Sequence, residues 1–74
     1  MDSQALTRRL DEVEGHIRTG QRLIANARKK LKHAIELDLD PVEGERVLQT
    51  LEAVQEVYLL ERNELQKALR KLAN

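Results

Sequence analysis

The chain has no cysteine, no tryptophan and no phenylalanine, and each gap removes a class of function. Without thiols there is no disulfide framework, no thiolate zinc or iron–sulfur centre and no cysteine nucleophile. One aromatic residue, Tyr58, is too few for the stacked-ring platforms that hold single-stranded nucleic acids. Thirteen basic and thirteen acidic residues cancel to a formal charge of zero, which removes the usual electrostatic case for a nucleic-acid or anionic-membrane partner. Apolar runs are only a few residues long, so no segment reads as a bilayer span or as the core of a signal peptide. The expected setting is the cytoplasm, with no membrane partner and no cofactor.

With a single proline and three glycines in 74 residues, punctuation is sparse, and the proline shares one short stretch with a glycine. In LDLDPVEGE, Asp40 suits an N-cap, Pro41 the first helical position where its missing N–H costs nothing, and Glu43 the closing residue of a capping box. A helix is therefore expected from about residue 41 to 72. The residue before a proline avoids helical geometry, so an earlier helix, from about residue 3, should end by residue 37 and leave a turn at 38–41.

What is present is Leu, Val, Ile and Ala among many charges, the composition of long amphipathic helices. Upstream, Leu6, Leu10, Val13, Ile17, Gly20, Ile24, Ala27, Leu31 and Ala34 follow one another at spacings of four and three, a heptad seam. Downstream, Val47, Leu51, Val54, Tyr58, Leu65, Ala68 and Leu72 keep that alternation, interrupted at Glu61. Two helices of this length, roughly 50 Å each, joined by about four residues must run antiparallel. The fold class is all-α, and residues 1–74 form a single helical-hairpin domain. Charge agrees with the pairing: residues 1–37 hold eight basic and five acidic groups and residues 38–74 five and eight, so the halves carry +3 and −3. Because Val57 and Leu60 lie beyond the seam of helix 2, its apolar surface is wider than one partner helix covers. Two hairpins closing into a homodimeric four-helix bundle would cover it.

The stretch most suggestive of chemistry is EGHIRTGQR, residues 14–22. Its glycines are five apart with no strand before them, which does not fit a phosphate-cradling loop. The seam runs through Ile17 and Gly20 without a slip, so the segment reads as continuous helix, at about 1 kcal/mol for each glycine relative to alanine. Gly20 then forms a small notch. An antiparallel register in which paired positions sum to about 78 places it opposite Tyr58 and sets Glu61 and Arg62 beside Ile17. With His16, Arg18 and Arg22 at the edge of the seam, these form a candidate polar layer or partner contact, although polar seam positions are best known for fixing register.

Other constellations are thin. Glu12 and His16 share a helix face, but His33 lies far from both and no Glu-x-x-His pair exists, so no metal site is expected. Ser3, Thr7, Thr19 and Thr50 have no paired base and carboxylate, and the chain is not expected to be an enzyme. His16 as a phosphorelay histidine would need an acidic neighbour and a proline five residues on, where Ile17 and Gln21 stand instead. RKKLKH, with Arg28, Lys29, Lys30 and Lys32, is the strongest charge cluster. It either contacts a nucleic acid or other polyanion, or complements the dipole at the end of helix 1.

His16, Ile17, Gly20, Arg22, Ile24, Ala25 and Arg28 compose the pattern HIxxGxRxIAxxR. Val47, Leu48, Thr50, Leu51, Glu52, Gln55, Tyr58, Arg62 and Leu65 follow LLxTLExxQxx(H/Y)xxxRxxL, with Val47 in place of the first leucine. Over residues 13–69 the chain thus resembles a family of small uncharacterised helical-hairpin proteins common in proteobacteria. It departs from that family at Tyr58, where histidine is frequent, and at Pro41, where threonine is common. The resemblance implies that Gly20, the arginines and the Glu52/Gln55 pair belong to a recurring pattern, and it carries over no activity. The functional expectation is a non-enzymatic interaction or regulatory module, a homo-oligomer with a further protein partner still to be identified. Polyanion binding through Arg28–Lys32 stands second and a His16 relay third.

Overall fold

A computed structural model of the chain describes residues 2–73. It consists of two antiparallel helices, α1 (Ser3–Glu36) and α2 (Val42–Ala73), packed side by side into a rod of 56 × 14 × 14 Å. This is the all-α hairpin that the two seams specify, with boundaries within a residue or so of those expected. Of the single-domain span 1–74, Met1 and Asn74 lie outside the described residues.

Each helix begins with a carboxylate that satisfies backbone donors left free by the first turn. The Asp2 side chain accepts from the Ala5 N–H at 2.7 Å, and that of Asp40 accepts from the Val42 N–H at 3.0 Å. Asp40 therefore caps α2 with Pro41 next to it, as expected. The Asp40 bond goes to Val42 and not to Glu43, and among the described residues Glu43 makes no hydrogen bond back to Asp40, so the expected capping box is replaced by a simple cap. Glu43 instead lines a depression on the side of the rod, in the first turn of α2 where a negative charge meets the positive end of the helix dipole.

α1 ends in a Schellman motif. The Leu39 N–H donates to Ala34 O at 2.9 Å and the Asp38 N–H to Ile35 O at 3.1 Å, with Asp38 at φ 61°. That left-handed position is the one glycine usually fills, because an L side chain there crowds its own carbonyl. The sequence holds no glycine near it, and aspartate is among the few residues that tolerate the conformation.

The interhelical register differs from the expected one. Leu31 lies against Gly44 and Gly20 against Gln55, so paired positions sum to 75 instead of 78, close to one helical turn. Residues 39–41 are non-helical, and such backbone covers up to about 3.3 Å per residue against 1.5 Å in a helix. The connection consequently carries the start of α2 further back along α1 than a symmetric turn would. Among the described residues the buried apolar side chains are Leu6, Val13 and Ile17, all on the α1 seam, and of these Val13 is fully buried. The turn-proximal half of the rod is less well covered.

Asp38→Gly should relieve the left-handed strain and stabilise the chain by about 0.5–1 kcal/mol, a rise in Tm of roughly 2–8 °C. Asp38→Val should lower it. Thermal denaturation at a fixed chain concentration reads both.

Candidate functional site

The middle of the rod holds the residues with the most specific polar geometry, and it is organised around Gly20. The notch on α1 is filled by the amide of Gln55, not by Tyr58. A Cβ on Gly20 would collide with the Gln55 side-chain oxygen and come within 2.8 Å of its Cδ. From this seat Gln55 Nε2 donates to the Ile17 carbonyl at 2.9 Å, a bond from one helix into the backbone of the other. That acceptor also settles which end of the amide is nitrogen. Gln55 is the buried polar residue of α2, 8% exposed, and its Oε1 is enclosed without a hydrogen-bond partner. The one-turn change of register is what displaces Tyr58 from the notch. Its ring stacks instead on His16, centroids 4.9 Å apart and planes 15° from parallel.

The candidate polar layer divides between the two sides of the rod. On one side Glu61 is clasped by Arg9, through Nε–Oε2 at 2.7 Å and Nη2–Oε1 at 2.9 Å, while Arg9 Nη1 reaches Glu12 at 3.1 Å. Bidentate hydrogen bonding by Arg9 holds the Glu61 carboxyl below the usual glutamate range and raises the Arg9 guanidinium above its ordinary value. His16 contributes to the field at Glu61 more weakly. On the other side Arg62 shares a shallow cleft with Glu14, Arg18, Gln21 and Gln66, with Ile17 at its floor. Arg62 Nε is buried without a partner, and Nη2 reaches only Asn63, at 3.3 Å. Arg22 is exposed and makes no described polar contact. Arg62 thus does lie by Ile17, while Glu61 is held by Arg9; the two face apart, as adjacent residues 100° apart on a helix do.

The basic segment is divided. Arg28 pairs with Glu52 at 3.1 Å, Lys32 lies one turn further along the same face, Lys29 is exposed about 100° round α1, and Lys30 points away and lines a depression with Glu43 among its other lining residues. Three of the four cations thus share one side of α1, and one of these is already engaged by a carboxylate. Among the described residues no three His, Cys, Asp or Glu side chains are grouped to hold a metal ion, and no helix is long and apolar enough to cross a membrane.

Sequence reasoning did not single out Arg9, although it supplies the strongest polar contact between the helices. Its signal was available in Glu61, a lone acid on the α2 seam in need of a cation from α1. Choosing between candidate cations requires the register. Gln55 was noticed only within the family-like pattern.

One apolar feature completes this side of the rod. Two adjoining depressions share Leu23 and Leu51 and form a groove, with Ala27, Gly44 and Val47 toward the turn and Val54, Gln55, His16 and Tyr58 toward the middle. Leu23, Val47 and Val54 keep 42%, 45% and 49% of their surface in solvent there, and Val57 and Leu60 keep still more elsewhere on α2. No protein-family model, curated protein or solved structure matches the chain.

Gln55→Ala should cost about 1–2 kcal/mol, through the lost bond to Ile17 and the void left at the notch. Gly20→Ala alone should be nearly neutral. Its helix-propensity gain of about 1 kcal/mol is offset by expulsion of the Gln55 amide. The double variant should be more stable than Gln55→Ala alone, because alanine at 20 then occupies vacated space. Urea denaturation of the four proteins measures this coupling, and strict additivity would contradict the contact.

Glu61 has a depressed folded-state pKa, so the stability it contributes is fully present above its ordinary value of 4.5 and is lost as pH falls through the depressed value. Glu61→Gln should accordingly flatten the fall of Tm between about pH 5 and pH 3. A variant with the slope of the wild type would show that the Arg9 clasp does not operate in solution.

Proposed function

We propose that this chain is a non-enzymatic protein–protein interaction or regulatory module that works as a homo-oligomeric helical bundle. One observation carries the reading: a rod with three buried apolar residues among those described leaves Leu23, Val47, Val54, Val57 and Leu60 open to solvent. A domain of this size has little core to spare, and burial of one large aliphatic side chain contributes about 1.5–3 kcal/mol. Covering that surface with another helical surface is the direct way to recover the loss, and assembly of helices around a shared seam is how bundles achieve it. The polar side, with Arg18, Arg62 and the exposed Arg22, is then the surface offered to a further protein partner. A cytoplasmic setting and kinship with the small proteobacterial helical-hairpin proteins belong to the same proposal.

The geometry favours neither of the two other readings. The ion pair of Arg28 with Glu52 and the zero formal charge of the chain weaken the case for polyanion binding. The stacking of His16 on Tyr58 uses the imidazole as a packing surface, which gives a phosphorelay no support.

Light scattering should find a mass above that of the 8.5 kDa chain at micromolar concentration, and Tm should rise with chain concentration as mass action requires. A folded monomer with a concentration-independent Tm would overturn the oligomeric reading.

A further inference from the structure

We infer that the groove between Leu23, Ala27, Val47, Leu51, Val54 and Tyr58 is the self-association surface, and that its occupant is the same groove of a second copy, with both turns at the same end of the bundle. This rests on the oligomeric reading above and specifies the face and the arrangement.

Area is the first argument. The groove occupies roughly 21 Å of the rod, about fourteen residues of α1. The whole 56 × 14 Å side that carries it presents roughly 800 Å², about what each partner contributes to a stable interface, so a dimer seated on the groove extends along the rod beyond it. A closed dimer of two such sides needs no additional segment. Chemistry is the second. The groove is mainly apolar, through Leu23, Ala27, Val47, Leu51 and Val54, and the charged residues lining its turn-proximal part are Lys30 and Glu43, one on each helix. A surface of this kind, apolar with one cation and one anion at its end, is self-complementary under a two-fold axis, where each residue meets its counterpart's partner.

Charge also selects the arrangement. Two grooves can face each other about an axis running across the rod, which stacks α1 on α1 and α2 on α2 with the turns at opposite ends. Alternatively the axis runs along the rod, which places each α1 against the α2 of the second copy with the turns together. Residues 1–37 carry +3 and residues 38–74 carry −3, so the first arrangement sets like charge on like and the second sets opposite charges side by side. The second arrangement also brings Lys30 level with Glu43 of the second copy. Leu60 does not line the groove and stays outside this contact.

The test uses the full chain, which has no native cysteine and so accepts a single label. Light scattering across a concentration series is run on wild type, Val54→Glu in the groove and Leu60→Glu outside it, with helical circular dichroism recorded for each. Spin-label distances are measured from Leu39→Cys in the turn. Val54→Glu should raise the dimer Kd at least about a hundredfold, because a carboxylate would be desolvated without a partner, while Leu60→Glu should leave it within about threefold. If Val54→Glu loses its helical signal, Val54→Thr, of the same shape but with a hydroxyl, should still weaken association several-fold. Labels at position 39 should lie within about 30 Å of each other, three helix diameters.

Association that survives Val54→Glu and fails with Leu60→Glu would overturn the groove as the interface while leaving the oligomeric reading intact. A label separation near the 56 Å length of the rod would overturn the shared-end arrangement. A wild type that remains monomeric would defeat the oligomeric reading itself. A monomer that binds a hydrophobic dye through the groove would assign that surface to another occupant.

Discussion

The amide of Gln55 lies in the notch left by Gly20 and donates to a carbonyl of the opposite helix, and much of the rod follows from that seat. Two heptad seams alone permit neighbouring registers, each offering a row of aliphatic side chains to a similar row. A buried amide does not slide so easily, since moving it one turn would strand its N–H in an apolar surrounding and bring the side chain against a residue larger than glycine. The orphaned Oε1 shows that the seat was not free of cost. Tyr58 on His16 and Arg9 on Glu61 are geometries available at this register.

The same register makes the rod two-sided. With Val13 and Ile17 buried, the residues flanking them divide into a mainly apolar groove on one side and a polar cleft around Arg62 on the other. Charge follows the helices, not the sides, positive overall on residues 1–37 and negative on 38–74. An antiparallel hairpin therefore satisfies its own net charge and still carries a face whose aliphatic groups lack cover. On the proposed reading that face is what a second surface covers, through shape and apolar area, with the few charges around the groove selecting the arrangement.

Much of the fold could be read from the residues. Spacings of four and three from Leu6 to Ala34 require a helix with a single seam, and Asp40–Pro41 fixes where the second helix starts, because both effects act within one turn of the chain. The antiparallel pairing follows from the short connection. The candidate site was only half legible. Gly20 was recognised as a notch from its place on the seam, yet its occupant was taken to be Tyr58, the one aromatic residue, when a glutamine one turn away fills it. Glu61 and Arg62 were taken as one layer beside Ile17, whereas Arg62 alone shares a cleft with Ile17 and Glu61 is held by Arg9, which went unnoticed. In each instance the missing quantity was the same offset of three residues between the helices.

That offset marks the division for this protein. The sequence by itself determined two amphipathic helices, their caps, their antiparallel order and the balance of their charges, since each depends on residues that are neighbours along the chain. Only the tertiary structure decided which residues meet across the seam, and hence which side chains are buried, which ions pair and which apolar face stays open. Those outcomes depend on how far the non-helical residues 39–41 carry the chain and on whether a particular side chain fits a particular hollow, and neither quantity is contained in a periodicity.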